Sequence, residues 1–396
     1  MYNGIHDMRI AQMLFFLENL LNLPKVGIRN VIQEGKQAFL ILSCQEGEVP
    51  CNYCGRLTDE LHQTNSVLVR DLSISGQIVY LKVPRRKLYC KDCQRFFTEN
   101  LEFMEARRKY TVRYEEYIYG RVNVSSVEQV SREESLSWEQ VNGIYQRQCE
   151  VKKKDWQGVK YLGMDEIAKR KGHQNFVTVL GDIEKGELIE VIDSHQQDKI
   201  IEVLMEKPLE VREEVEEVSV DMWGGFPKVI EKVFPNAVIV TDRFHVMKAV
   251  NEELNKIRKQ TKLNVKIKGE KWLLLKNRED LKEEELEKLE IVLKQSARLR
   301  KAYEYKESFR EIYEKVNEKE EGRAKFTEWL ENAKSVYTDV ISTIRRNLDS
   351  ICNYFLSRTT NGAMEGINNR LKLIKRQAYG FMNFDNMRNR FLACFS

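Results

Sequence analysis

Two Cys-x-x-Cys pairs constrain this 396-residue chain more than any other feature: Cys51-Asn52-Tyr53-Cys54 and, after a 35-residue spacer, Cys90-Lys91-Asp92-Cys93. Each pair brings two sulfurs to one short turn, and zinc takes four in a tetrahedron, so the pattern predicts one structural zinc ion held by all four thiolates. Within the spacer, Val67 to Val69 and Ile78 to Val83 are apolar or alternate, with Ser75-Gly76 between them. Strand, turn and strand would fold the second pair back onto the first. Cys44, Cys149, Cys352 and Cys394 have no such partners and are expected to be ordinary buried thiols.

Charged residues make up 32% of the chain and hydrophobic ones 42%, the balance of a soluble protein of several domains. No run approaches the 18 apolar residues of a membrane span, and no basic-then-apolar leader opens the sequence, so a reducing cytoplasm is expected. That compartment favours zinc over disulfides for the paired cysteines. The net charge of +4 says little until it is located. Residues 82–113 hold ten Lys/Arg against four Asp/Glu, and residues 352–396 hold seven against two. Positive charge concentrated beside a zinc module suits a phosphate backbone, although for either segment alone a solvated face is the better reading.

An apolar helix near Ala11 to Leu21 and a strand around Ala38 to Ser43 lead into the cysteines, and Arg95-Phe96-Phe97 follows them. From Tyr114 to Gln148 two helical patterns flank a break: Val124 to Glu133, then Ser135-Leu136-Ser137, then Trp138 onward. Ser137 is placed to cap the second helix with Gln140 at the capping-box position. This is the form of a helix-turn-helix whose second helix would enter a DNA major groove, with Trp138, Gln140 and Arg147 as candidate contacts.

Beyond Val159 the texture changes to strands at Lys160 to Asp165, Asn175 to Ile183 and Leu188 to Ile192, spaced closely enough for antiparallel hairpins. A helix (Asp198 to Met205), a strand (Glu217 to Asp221), a helix (Pro227 to Val233) and a strand (Ala237 to Thr241) complete the pattern of a mixed five-stranded sheet with helices on its faces, the ribonuclease H-like topology. After Asp242 the chain is nearly all helical, with Leu281, Leu286, Leu289 and Leu293 as an apolar stripe in a Glu/Lys-rich stretch.

Three carboxylates stand out by position. Asp165 is expected to end the first strand and Asp221 the fourth, which would bring both to adjacent strand ends. Glu365 lies in Thr359-Thr360-Asn361-Gly362-Ala363-Met364-Glu365-Gly366, where Thr359 or Thr360 can cap a helix that also carries Asn368, Asn369, Lys372, Lys375 and Arg376. A carboxylate followed by amides and cations at helical spacing suits a metal ligand with phosphate contacts behind it. Phosphodiester hydrolysis by two Mg²⁺ ions needs oxygen ligands of this kind and no histidine base. Asp242 is expected to cap the helix after the fifth strand, with His245 packing or touching DNA, both standing behind the metal ligands.

These residues resemble the DDE transposases of bacterial insertion sequences, in the zinc-ribbon, helix-turn-helix group called the ISL-three family. The likeness is carried by Gly163-Met164-Asp165-Glu166 with Lys171-Gly172-His173; by Asp221-Met222-Trp223 with Phe234-Pro235-Asn236-Ala237 and Asp242-Arg243-Phe244-His245-Val246; and by Thr360-Asn361-Gly362 through Glu365-Gly366-Ile367-Asn368 to Arg376-Gln377-Ala378-Tyr379-Gly380-Phe381. The resemblance implies that Asp165, Asp221 and Glu365 are a catalytic triad binding two Mg²⁺, and that residues from Thr261 to Asn347 are a helical insertion. It implies that zinc ribbon and helix-turn-helix recognise terminal inverted repeats, that cleavage frees a 3′-OH which attacks target DNA, and that a homodimer or higher oligomer bridges two ends in the bacterial cytoplasm at the nucleoid. The fold class is then multi-domain α+β: an N-terminal zinc-ribbon region (1–110), a helix-turn-helix (111–155), a ribonuclease H-like α/β catalytic core (156–260), the helical insertion (261–347) and a closing segment with Glu365 (348–396). Two other readings fit the same residues: a DNA-binding regulator with an inactive second domain, and a ribonuclease H-like nuclease that only hydrolyses.

Overall fold

The computed structural model describes residues 15–45, 47–170, 174–222, 225–261, 267–359, 362–378, 380–381 and 383–395. The start of the expected Ala11 helix, Lys171-Gly172-His173, Trp223, Thr360-Asn361 and Tyr379 lie outside them. The chain divides into two compact units, Met1–Lys152 and Lys153–Ser396.

The first unit opens with α1 (residues 15–21) and continues as β1 (Val26–Glu34), β2 (Gln37–Cys44), β3 (Val49–Pro50), β4 (Leu57–Thr58), β5 (Leu61–Ile74), β6 (Gln77–Cys90) and β7 (Arg95–Thr98). The sheet order is β1-β2-β6-β5, with β7 paired to β6. The β5–β6 hairpin extends well beyond the apolar runs that predict it. Its turn is the expected Ser75-Gly76, and both residues have positive φ, 50° and 78°, the combination that matches the twist of a two-residue hairpin. Val69, Val79, Leu81 and Val83 bury one end of the hairpin against Ile28, Leu40 and Leu42. At its other end Val49, Leu88 and Phe97 pack beneath Cys51 and Cys90.

Three helices follow rather than two: α2 (Val112–Val124), α3 (Val127–Glu134) and α4 (Trp138–Val151). The expected helix starting at Val124 is corrected, because Val124 closes α2 and Ser126 caps α3 by accepting from Gln129 N at 3.1 Å. Ser135 ends α3 in the left-handed region (φ 53°).

In the second unit β8 (Tyr161–Arg170), β9 (Gln174–Asp182), β10 (Glu187–Ile192), β11 (Glu217–Val220) and β12 (Val238–Thr241) form one sheet of order β10-β9-β8-β11-β12. The first three strands are antiparallel, and β11 runs parallel to both β8 and β12, as the ribonuclease H-like expectation requires. Helices α5 (Gln197–Met205), α6 (Leu209–Glu213, unexpected) and α7 (Phe226–Val233) intervene. One strand boundary is corrected. Asp165 does not end β8, because β9 keeps pairing with it as far as Arg170 after β11 has stopped at Val220.

Leu162, Met164, Val218 and Val220 pack with Ile200, Leu204, Phe226 and Ile230 of α5 and α7. From the opposite face Ile167, Val177 and Val179 pack with Met364, Ile367 and Leu371 of the closing helix. The remaining helices are α8 (Arg243–Gln260), α9 (Glu270–Leu275), α10 (Glu283–Lys294), α11 (Ala297–Lys315), α12 (Lys319–Ala333), α13 (Asp339–Arg346), α14 (Leu348–Cys352), α15 (Tyr354–Ser357), α16 (Gly362–Gln377) and α17 (Phe384–Ala393). The leucine stripe does bury, with Leu289 and Leu293 against Val250, Leu254, Phe309 and Phe326. Close seating of α16 needs Gly181 of β9, since a Cβ there would meet Ile367 and Met364 side chains at 2.7 Å. Among the four cysteines outside the two Cys-x-x-Cys pairs only Cys352 is buried; Cys44, Cys149 and Cys394 are half-buried, which corrects the expectation for those three. No described helix is long and apolar enough to cross a membrane.

Candidate zinc centre, nucleic-acid interface and active site

The four paired cysteines converge: their sulfurs all lie within 4.8 Å of one another, with Cys51 to Cys93 and Cys54 to Cys90 both at 3.6 Å. Sulfurs around a tetrahedral zinc stand about 3.8 Å apart, so this donor set fits the ion. Each knuckle closes with a left-handed residue, Gly55 after Cys54 (φ 73°) and Gln94 after Cys93 (φ 53°), which turns the chain back around its two sulfurs. Burial works against ionising Cys51, but the Tyr53 and Cys54 amides and the adjoining thiols outweigh it and bring the thiol down to about 7. Burial and the neighbouring thiols push Cys93 up to about 12. Four crowded thiols that cannot all ionise together are what a divalent cation stabilises.

In the helix-turn-helix the capping box forms as expected, Gln140 N donating to Ser137 Oγ at 3.2 Å and Ser137 N to Gln140 Oε1 at 2.8 Å. The Gln140 carbonyl oxygen is therefore occupied at the helix start. Arg147 is turned inward: its guanidinium donates to the buried Glu115 at 2.6 Å and pins α4 to α2. Trp138 is 42% exposed at the head of α4. Val141, Ile144, Tyr145 and Gln148 are the buried face. The outward face thus carries Glu139, Asn142 and Gln146, which the helical period opposite Val141 and Ile144 would have revealed.

Asp165 and Asp221 meet through register. Ser219 of β11 pairs with Gly163 of β8, the last pair of this parallel ladder, and Asp221 follows Ser219 by two residues as Asp165 follows Gly163, close enough for its charge to act on Asp165. Asp165 is half-buried, and its carboxyl is raised by burial and by the Asp221 charge, against a Glu166 amide, His245 and Asn368. Glu166, unremarked in the sequence, is pushed up to about 7 by burial and then by Asp221 and Asp165, and its Oε1 is buried without a hydrogen-bond partner. No local signal distinguishes it from any acid following a strand aspartate.

The polar residues of α16 divide into two rows. Asn368 faces the sheet and donates to Asp165 Oδ2 at 2.5 Å. Lys375 also faces it, donating to the Ala168 carbonyl, which corrects its expected exposure to DNA. Glu365, Asn369, Lys372 and Arg376 remain exposed, one stripe at intervals of three and four. Thr359 does not cap this helix, since its hydroxyl bonds Ser357 Oγ at 2.8 Å. Among the described residues, the cysteines are the only cluster of three or more His, Cys, Asp or Glu with ligand atoms within 4.8 Å, so Asp165, Asp221 and Glu365 do not converge to that closeness.

Asp242 caps α8 as expected, accepting from Phe244 N at 3.0 Å, and lies 3.7 Å from His245 Nε2. An open cleft of about 260 Å³ runs from Asp221 and Met222 along one face of α8, past His245, Lys248, Ala249 and Glu252. Lys248 was missed by the sequence reading, although its place one turn beyond His245 is a usable signal.

A family model described as a transposase matches residues 162–391, one described as the zinc-finger of transposase IS204/IS1001/IS1096/IS1165 matches 48–93, and one described as the helix-turn-helix domain of transposase family ISL3 matches 99–149. The transposase for insertion sequence element IS1001 of Bordetella parapertussis is 27% identical over 84% of this chain and 85% of its own length. The transposase for insertion sequence element IS1557 of Mycobacterium tuberculosis is 24% identical over 62% of this chain, which spans 63% of that protein. With zinc-finger, helix-turn-helix and transposase models matched in order, the chain belongs to the ISL3 family of insertion-sequence transposases.

Proposed function

We propose that this transposase cuts the terminal inverted repeats of its insertion sequence and joins the freed 3′-OH ends to target DNA, with Asp165, Asp221 and Glu365 as the catalytic carboxylates. The observation that carries the reading is the nearness of Asp221, just past the end of β11, to Asp165 on β8, with Asn368, from the helix of Glu365, bonded to Asp165. Asp165, whose proton affinity is raised by burial and by the Asp221 charge, forms with Asp221 a donor set suited to a hard divalent cation. Magnesium held there would supply Lewis-acid activation of the attacking oxygen and charge neutralisation at the leaving 3′ oxygen. Asn368 orients the Asp165 carboxylate, and Glu365, exposed one turn before it, is free to join when a DNA strand is present. The exposed Lys372 and Arg376 face the phosphates of that strand. Trp138 and the outward face of α4 contact the repeat, and two or more copies of the chain bridge the element's two ends. The cysteine site holds a structural zinc that keeps the ribbon folded.

Cleavage of end DNA by an Asp221→Asn protein in Mg²⁺ would sink this reading; the expected result is retained DNA binding with no cleavage. A pre-cut 3′-OH end is expected to be joined to target, which a simple hydrolase would not do. If the wild-type chain binds repeat DNA but neither nicks nor joins it in Mg²⁺ or Mn²⁺, it acts as a DNA-binding regulator instead.

A further inference from the structure

The zinc-bearing hairpin and the helix-turn-helix are fastened together by buried polar links. Arg70 of β5, nearly fully buried, pairs with Glu134 of α3 at 3.0 Å, and Glu134 also accepts from Tyr114 and Tyr117 hydroxyls at 3.0 and 3.1 Å. Beside it Asp71, 1% exposed, pairs with Arg113 and accepts from Thr111 Oγ1 at 2.7 Å. A backbone bridge joins Arg70 to Tyr110. From this anchor the hairpin projects. Arg70 lies opposite Tyr80, and Cys90 is ten residues further along β6, a reach of about 33 Å at strand rise. One turn of B-DNA is about 34–36 Å.

The projecting arm suits that polyanion. From Leu61 to Val69 and from Gln77 to Cys90 it contains no Asp or Glu, while Lys82, Arg85, Arg86 and Lys87 lie on β6. Arg86 is used internally by Glu99, but Lys82 and Lys87 are exposed. At the tip Phe96 is 48% exposed, with Tyr89 and His62 rings at 4.9 and 4.7 Å and Lys87 Nζ 5.3 Å above it. Tyr53 is 59% exposed with Arg95 over its ring at 5.1 Å. Of the tip acids, Asp92 and Glu60 are paired to Arg56 and Lys91, and Asp59 is exposed. Exposed rings carrying cations are surfaces for a sugar-phosphate edge.

We propose that the β5–β6 hairpin is a rigid ruler: it sets the zinc tip about one helical turn from the helix-turn-helix on the same face of duplex DNA, so the two contacts are read in fixed phase. The inference rests on the reading that this unit binds the repeat. The test is hydroxyl-radical footprinting of the full chain on a duplex carrying the terminal repeat. Two protected windows about 10 bp apart on one face are expected. Phe96→Ala with Lys87→Ala should erase the distal window and weaken binding about tenfold, with zinc content unchanged as the check on folding. Inserting about 5 bp between the windows should weaken wild-type binding to the level of that variant. A single window, or indifference to the insertion, overturns the ruler. Failure of the wild-type chain to bind the repeat at all would instead overturn the DNA reading beneath it.

Discussion

Asn368 donates its side-chain amide to Asp165 Oδ2 at 2.5 Å, a bond spanning 203 residues of sequence. It ties the closing helix to the first strand of the second unit's sheet one turn away from Glu365, so the helix that carries one of the proposed catalytic carboxylates also orients another. Asn368 is 6% exposed, which leaves the pair little freedom to reorganise.

Removing that amide therefore has a specific consequence. Asn368→Ala should slow single-turnover cleavage of repeat DNA roughly 10- to 100-fold, the usual cost of losing a group that orients a metal ligand. Affinity for the same DNA should be nearly unchanged. An unaltered rate would show that Asp165 needs no such positioning.

Glu166 makes the metal-free protein sensitive to pH. Its carboxyl is raised from 4.5 to about 7, first by burial and then by Asp221 and Asp165. Between those values the folded chain holds a proton that the unfolded chain has released, so the native state binds more protons and its stability falls as pH rises. The contribution is full below about 4.5 and gone once pH passes about 7. Partial exposure screens it below what the full shift implies. In chelator, the urea midpoint of the second unit should drop across this window, and Glu166→Gln should flatten the slope. An equal slope in the variant would assign the effect to other groups.

Zinc should be found at one ion per chain by elemental analysis and be lost in Cys90→Ser. Because Cys51, Cys90 and Cys93 pack with Val49, Leu88 and Phe97, extraction with a strong chelator should loosen the tip and reduce repeat binding. The β8–β12 sheet belongs to the other compact unit, and its circular dichroism transition should persist. Undiminished DNA binding after complete zinc removal would contradict a role for the ribbon in recognition.

Glu134→Ala leaves the Arg70 guanidinium, 4% exposed, without its carboxylate. Breaking one side of such a buried pair costs about 3–5 kcal/mol. Equilibrium unfolding of the first unit should report that loss, and Arg70→Met combined with Glu134→Leu should recover most of it. Recovery is the informative arm, since it separates a stranded charge from a lost packing volume.

Much of this molecule was legible from local chemistry. Cysteine spacing announced a four-sulfur centre, Ser75-Gly76 announced the hairpin turn, and Ser137 with Gln140 announced the start of α4; each signal acts within a few residues. Strand and helix periods in residues 160–241 were enough for five strands in a mixed sheet. Tertiary structure decided what periodicity cannot. Helical spacing groups Asn368 with Lys375 and Glu365 with Lys372, yet only the packed sheet turns the first two inward, to Asp165 and to the Ala168 carbonyl. Arg147 looked like a DNA contact until α2 placed Glu115 beneath it. Asp165 and Asp221 are 56 positions apart in sequence, and only the parallel register of β8 and β11 brings them near each other. The sequence by itself determined the elements and their chemistry, because those depend on neighbours along the chain; which side chains meet, and which stay free for a ligand, depended on neighbours in space.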